Sequence, residues 1–126
     1  ALLLSVPVGL LVTNILVVNN LRDLPTDRAA GKRTLAVRLG DRATRAQYVL
    51  FTVMAYLVPS ALALADESRR WLLLPLLTAP LGARLAGRVH GGLAGRDLNA
   101  VLKQTGILLL LFGVLLTAAL LLGRLR

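Results

Sequence analysis

The apolar residues of this chain fall into long uninterrupted blocks and do not follow a helical or strand period. Residues 1–21, 46–65 and 104–123 contain no charged side chain. As α-helices that rise about 1.5 Å per residue, blocks of this length cross a hydrocarbon layer about 30 Å thick. The pattern therefore predicts three membrane-spanning helices in an all-α membrane protein.

A fourth apolar block covers residues 71–89, but charged residues interrupt it. Its uncharged part ends at Arg84, so it crosses the bilayer only when Arg84 and Arg88 lie at its far end and extend their charged groups to the interface. Pro75 and Pro80 predict kinks, which neighbouring helices in a membrane bundle accommodate. We expect four transmembrane helices.

The charged residues are distributed by loop. The segment 22–45 carries seven cations against three acids, and the segment 84–103 carries cations opposed by Asp97 alone, whereas the link 66–70 is neutral. Positive charge is enriched on the cytoplasmic side of membrane proteins. The pattern predicts a multi-pass protein of the cell membrane whose loop 22–45 is cytoplasmic, and the net charge of +9 does not indicate nucleic acid binding.

Two residue counts limit the chemistry that this chain can perform. It has no cysteine and one histidine, which excludes disulfides, thiolate metal sites and imidazole-rich metal sites within the chain. The first residue already belongs to an apolar block and is not a methionine. We therefore expect the chain to be the C-terminal part of a longer membrane domain.

A polar cluster follows directly behind the first apolar block. Asn19, Asp23 and Asp27 recur at every fourth residue, so a continuing helix would place their three oxygen-bearing side chains on one face. Such oxygens suit Mg²⁺, which binds through one or two carboxylates together with substrate phosphates. Pro25 should interrupt the helix near Leu24, so that Asp27 converges from a turn.

Two interpretations of this cluster remain open on residue types alone. Asp23 and Asp27 either form a phosphate and metal site, or they pair with Arg22 and Arg28 in a solvated loop, where exposed ion pairs contribute about 0–1 kcal/mol each. The depth of the neighbouring amides favours a site. Asn14, Asn19 and Asn20 lie on an apolar span, where polar groups are costly unless they face a cavity or another helix.

The stretch from Asn19 to Gly40 reads NNLRDLPTDRAAGKRTLAVRLG. It resembles the second aspartate-rich motif of the UbiA-type intramembrane prenyltransferases, most closely the branch that prenylates 1,4-dihydroxy-2-naphthoate. The lead-in to the last apolar block, Leu98 to Thr105, is also similar to that branch. The resemblance implies that the four helices are the C-terminal part of a nine-helix prenyltransferase bundle.

The resemblance also implies roles for individual residues. Asp23 and Asp27 would be the catalytic residues and the ligands of Mg²⁺ on the diphosphate of the prenyl donor. The expected diphosphate contacts are Asn19, Asn20, Arg22, Lys32 and Arg33. A partner motif rich in Asn and Asp is expected in the missing N-terminal helices, so the chain would be inactive alone.

The activity that the resemblance implies is transfer of a polyprenyl group from polyprenyl diphosphate to 1,4-dihydroxy-2-naphthoate within the bilayer. The products would be demethylmenaquinone, diphosphate and carbon dioxide, as in menaquinone biosynthesis. A related enzyme with another acceptor, such as 4-hydroxybenzoate or haem, is an alternative. An alternative of another class is a non-catalytic membrane transport module whose loop aspartates bind ions or lipid.

Overall fold

The computed structural model describes residues 2–124, which are helical over nearly their whole length and contain no strand. The helices are α1 (Leu2–Arg22), α2 (Leu24–Ala29), α3 (Leu35–Leu39), α4 (Asp41–Ala65), a 3₁₀ helix (Glu67–Thr78), α5 (Ala79–His90), a 3₁₀ turn (Gly95–Asp97) and α6 (Leu98–Arg124). Four helical segments are long and apolar enough to cross a membrane. The expected all-α membrane architecture is confirmed.

The third membrane segment changes helix type along its length. The 3₁₀ helix contains Pro75, and α5 begins at Ala79 with Pro80 in its first turn. Proline fits the first turn of an α-helix because its missing N–H has no intrahelical partner there. The kinks expected from the two prolines therefore take the form of a change of helix type after Thr78.

Three membrane segments begin before the apolar blocks that predicted them, the third of them at Glu67 instead of residue 71. Helix α4 starts at Asp41 instead of residue 46, and α6 starts at Leu98 instead of residue 104. The Nε atom of Arg45 lies 2.8 Å from an Asp41 oxygen, one helical turn away, and Leu98 is fully buried. These turns are held by side-chain pairing and packing, which a search for uncharged blocks does not detect.

The predicted loop 22–45 is also largely helical. It contains α2, α3 and the first turn of α4. The side chain of Thr34 caps α3 by accepting a hydrogen bond from the backbone N–H of Val37, at 3.2 Å. Gly40 connects α3 to α4 with a φ of 87°, a conformation that side chains disfavour. The segment is therefore a folded cap on one end of the bundle.

The four membrane segments pack in a ring. Helix α1 contacts α4 and α6, and the third segment contacts the same two helices from the opposite side. A polar network crosses the interior. The Nδ2 group of Asn14 donates to the Tyr48 carbonyl at 3.1 Å and to the Thr52 hydroxyl at 3.0 Å, and the Tyr48 hydroxyl lies 2.8 Å from that of Thr105. Asn14 thus faces partner helices, as its position in an apolar span requires.

Candidate functional site

The helix break expected from Pro25 places Asp23 at a turn. Helix α1 ends at Arg22, Asp23 has φ of −90° and ψ of 3°, and α2 begins at Leu24 with Pro25 in its first turn. The Asp23 N–H still donates to the Asn19 carbonyl at 3.2 Å, and the Asp27 N–H donates to the Asp23 carbonyl at 2.8 Å. The polypeptide therefore continues in a helical sense through a brief interruption at Asp23. The expectation that Asp27 converges from a turn was wrong, because Asp27 lies within α2.

The Arg22 guanidinium is the centre of the polar cluster. Its Nε and Nη2 atoms donate to the two carboxylate oxygens of Asp23 at 2.9 and 3.2 Å. Nη2 also donates to Asn19 Oδ1 at 2.6 Å, and Nη1 donates to Asn99 Oδ1 at 2.9 Å. Arg22 therefore joins the predicted residues of α1 to the first turn of α6.

Two cations lie close to the carboxylates of Asp23 and Asp27. The hydrogen bond from Arg22 and its positive charge lower the pKa of the Asp23 carboxyl, against an opposing effect of burial, and the Lys32 charge lowers that pKa further. Lys32 Nζ lies 3.8 Å from Asp27 Oδ1. The Lys32 charge thus lies near both carboxylates. Two anions and two cations are grouped at this end of the bundle.

The predicted site residues differ in how far the structure assembles them. Asn19, Arg22 and Asp23 form one hydrogen-bonded group, and Asp27 pairs with Lys32. Within residues 2–124, no hydrogen bond or ion pair connects Asn20 or Arg33 to this group. No set of three or more His, Cys, Asp and Glu side chains in this range is arranged to hold a metal ion.

The UbiA prenyltransferase family model matches residues 1–102, which is most of the chain. The chain belongs to the UbiA prenyltransferase family. It is 43% identical over 121 residues to 1,4-dihydroxy-2-naphthoate octaprenyltransferase of Mycobacterium tuberculosis, covering 96% of this chain and 40% of that protein. The protein of the same name from Haemophilus influenzae is 36% identical over 91% of this chain and 37% of its own length.

The chain is also similar to a vertebrate protein. UbiA prenyltransferase domain-containing protein 1 of Xenopus tropicalis is 35% identical over 90% of this chain and 31% of its own length. The chain therefore spans well under half the length of these relatives. No solved structure matches it significantly.

Sequence reasoning missed Arg45, a buried cation at the same end of the bundle that connects α4 to the end of α5 in this UbiA-family chain. Its side chain is only 9% exposed and binds both carboxylate oxygens of Asp41, at 2.8 and 3.1 Å. Its Nη1 group also donates to the carbonyls of Val89 at 2.6 Å and Leu93 at 2.7 Å. The spacing of Asp41 and Arg45 by four residues indicated the ion pair, but nothing local indicated the two carbonyls.

One cavity of the structure lies at the other end of the bundle. It encloses about 760 Å³ between the start of α1, the ends of α4 and α6 and the beginning of the 3₁₀ helix, with Leu3, Leu62, Trp71 and Ala119 in its lining. The aspartates of the UbiA-type motif do not line it. The polar cluster and this cavity therefore lie at opposite ends of the bundle.

Proposed function

We propose that this chain is the C-terminal part of a polyprenyltransferase that transfers a polyprenyl group from polyprenyl diphosphate to 1,4-dihydroxy-2-naphthoate. The products would be demethylmenaquinone, diphosphate and carbon dioxide. The observation that carries the proposal is the grouping of Asp23, Asp27, Arg22 and Lys32 at one end of a membrane bundle of the UbiA family. The remaining helices and a second acidic motif would come from the rest of a longer protein, since the chain covers 40% of its tuberculosis relative.

The donor set fits half of a magnesium site. Asp23 and Asp27 provide two carboxylates, and Mg²⁺ is usually bound through one or two carboxylates together with substrate phosphates. Their side chains are 37% and 14% exposed, respectively, so neither is sealed from an incoming ligand. When bound, Mg²⁺ would stabilise the negative charge that develops on the departing diphosphate.

Arg22 and Lys32 are proposed to bind the diphosphate. Arg22 presents a planar set of donors suited to phosphate oxygens, whereas Lys32 is a flexible point charge whose side chain is 68% exposed. Fixed cations near the leaving group lower the barrier to breaking the allylic carbon–oxygen bond, because they stabilise charge that appears in the transition state. Asn19 accepts a hydrogen bond from Arg22 and so helps to position it. Asn20 and Arg33 remain secondary candidates for diphosphate contacts.

The bundle itself would supply the dry environment that an allylic cation requires. The described helices present apolar side chains on nearly all faces, so water has little access to a prenyl chain lying against them. The carbon electrophile would then be attacked by an electron-rich ring of the acceptor, which loses its carboxyl group as carbon dioxide. The excess of cations in segment 22–45 supports a cytoplasmic position for this end.

The test is prenyl transfer by membranes that contain the full-length protein, with added Mg²⁺, a polyprenyl diphosphate and 1,4-dihydroxy-2-naphthoate. We expect Asp23→Asn and Asp27→Asn each to lower the rate by about 100-fold or more, because each removes an anionic ligand of the proposed Mg²⁺, whose charge stabilises the departing diphosphate. Asp97→Asn is the matched control: it removes an exposed carboxylate from the 3₁₀ turn before α6 and should leave the rate unchanged. Undiminished transfer by both motif variants would refute the assigned roles.

The same membranes separate the alternatives. Transfer to 4-hydroxybenzoate or haem, without transfer to 1,4-dihydroxy-2-naphthoate, would change the acceptor and keep the enzyme class. Failure to prenylate any of these acceptors, together with Mg²⁺ or lipid movement across reconstituted vesicles, would favour a transport module.

A further inference from the structure

The hydrogen bond between Arg22 and Asn99 connects residues that are 77 positions apart. Arg22 ends α1, and Asn99 lies in the first turn of α6. The other partners of the guanidinium, Asn19 and Asp23, belong to the same turn of chain as Arg22 itself. Among residues 2–124, Asn99 is therefore the one contact that orients this cation relative to a second membrane helix.

The hydrogen bonds of the Arg22 guanidinium leave one of its N–H donors available to a ligand. A guanidinium has five N–H groups. Arg22 uses four of them in its bonds to Asp23, Asn19 and Asn99, so that one N–H on Nη1 remains. Because acceptors on three sides fix the plane of the guanidinium, the direction of that last N–H is fixed as well.

Asn99 is itself held from both sides along the chain. Its neighbours Leu98 and Val101 are fully buried and anchor the first turn of α6. Six residues earlier in the chain, the Leu93 carbonyl accepts a hydrogen bond from Arg45 at 2.7 Å. The amide oxygen of Asn99 therefore sits at a well-supported position although its own side chain is exposed.

We propose that Asn99 is a positioning residue of the diphosphate site, which orients the free Nη1 donor of Arg22 toward a phosphate oxygen. This inference rests on the proposed function, since it assumes that Arg22 meets the diphosphate. Asn99 does not itself contact the substrate. Its loss would leave Arg22 bound only to Asp23 and Asn19, in its own stretch of chain, so that the Nη1 donors would no longer be held in position relative to α6.

The experiment compares Asn99→Ala, Asn99→Asp and Ala100→Ser in the full-length protein. For Asn99→Ala we expect the KM for polyprenyl diphosphate to rise about tenfold, which is the size expected for losing a hydrogen bond to a charged group, while kcat changes little. Asn99→Asp keeps the acceptor oxygen and should restore KM. Ala100→Ser alters the adjacent exposed position and should match wild type.

A binding measurement supplies a readout besides activity. Calorimetric titration with inorganic diphosphate and Mg²⁺ should show about tenfold weaker binding by Asn99→Ala than by wild type. In the Arg22→Lys background, which lacks the planar fork, adding Asn99→Ala should change neither KM nor affinity further, because the two residues act as one unit.

Several outcomes would overturn the proposal. Unchanged KM and diphosphate affinity in Asn99→Ala would show that the contact is incidental, and equal loss of folded protein in Asn99→Ala and Asn99→Asp would show a structural role only. If wild type prenylates no acceptor, the proposed function fails while the titration still decides the role of Asn99. If wild type does not bind diphosphate, both proposals fail.

Discussion

At the scale of single residues, the two arginines Arg22 and Arg45 differ in what their guanidinium groups bind. Arg22 is partly exposed and retains a donor for a ligand, whereas Arg45 is buried and directs its charge to Asp41 and to two backbone carbonyls. The carbonyls of Val89 and Leu93 lie at and just beyond the end of α5. Cations at this end of a helix also interact favourably with the helix dipole. Arg45 therefore connects the start of α4 to the end of α5.

We predict that Arg45→Ala lowers the free energy of unfolding by about 3 to 6 kcal/mol, since two carbonyls lose a charged donor and each such bond contributes about 1.5 to 3 kcal/mol. Asp41 adds little to the loss because its side chain is 57% exposed and remains solvated. The measurement is denaturant-induced unfolding of the full-length protein in detergent. Arg42→Ala, at a neighbouring exposed position, should change the value by less than about 0.5 kcal/mol. Equal stability of both variants would contradict this account of Arg45.

At the scale of elements, the third membrane segment is held to α4 by a close contact that only a glycine allows. A Cβ atom placed on Gly82 would lie 2.9 Å from the Tyr56 hydroxyl oxygen and 3.0 Å from the ring carbon Cε2. Tyr56 cannot easily move away, because its hydroxyl is 2.6 Å from that of Thr78 and its ring packs edge-on against Phe112 with centroids 5.5 Å apart. Since Thr78 donates its hydrogen to the Pro75 carbonyl, Tyr56 is the donor of this pair.

We predict that Gly82→Ala destabilises the protein by about 1 to 3 kcal/mol, the usual cost of overpacking a core. Gly87→Ala, on the same helix with open space around its Cβ position, should be neutral or stabilise by up to about 1 kcal/mol through helix propensity. The comparison uses thermal unfolding of the full-length protein in detergent. Tyr56→Phe should recover part of the Gly82→Ala loss by removing the closest atom. Indistinguishable behaviour of the two glycine variants would show that the contact is not restrictive.

At the scale of the whole molecule, the bundle has an apolar surface and two different ends. Leu64, Leu77 and Leu110 are 83%, 71% and 66% exposed, which suits contact with lipid or with further helices and is unfavourable in water. One end carries segment 22–45 together with the turn from α5 to α6, because Arg22 reaches Asn99 and Arg45 reaches Leu93. The opposite end carries the cavity beside Trp71.

The chain lacks cysteine, so single introduced thiols report which side each end faces. We predict that Ala30→Cys and Ala94→Cys, both exposed at the end that holds the polar cluster, react with a membrane-impermeant maleimide only from the cytoplasmic side. Ser68→Cys, exposed at the other end, should react only from outside. Any other cysteines of the full-length protein are first replaced. Labelling of Ala30→Cys and Ser68→Cys from the same side would contradict the four-span topology.

The sequence by itself determined the helical membrane class of this protein and the motif that places it in the UbiA prenyltransferase family. An uncharged block of about twenty residues is expected to form a helix in a bilayer, because a helix satisfies all of its backbone hydrogen bonds within the segment. Pro25 predicted the break at Asp23 correctly, because the restriction that proline imposes on helices is local. The segment from Asn19 to Gly40 resembles the UbiA-type motif, and the family match confirmed this resemblance. It was recognisable from the sequence because the motif is one contiguous segment.

Only the tertiary structure decided which distant groups meet. The pairing of Arg22 with Asn99, the burial of Arg45 against Val89 and Leu93, and the approach of Tyr56 to Gly82 all join residues on different helices. Composition and periodicity record which face of a helix is apolar, but not which partner lies against it. The helix starts at Asp41 and Leu98 were missed for the same reason, because packing and ion pairing across the bundle hold turns that hydropathy assigns to loops.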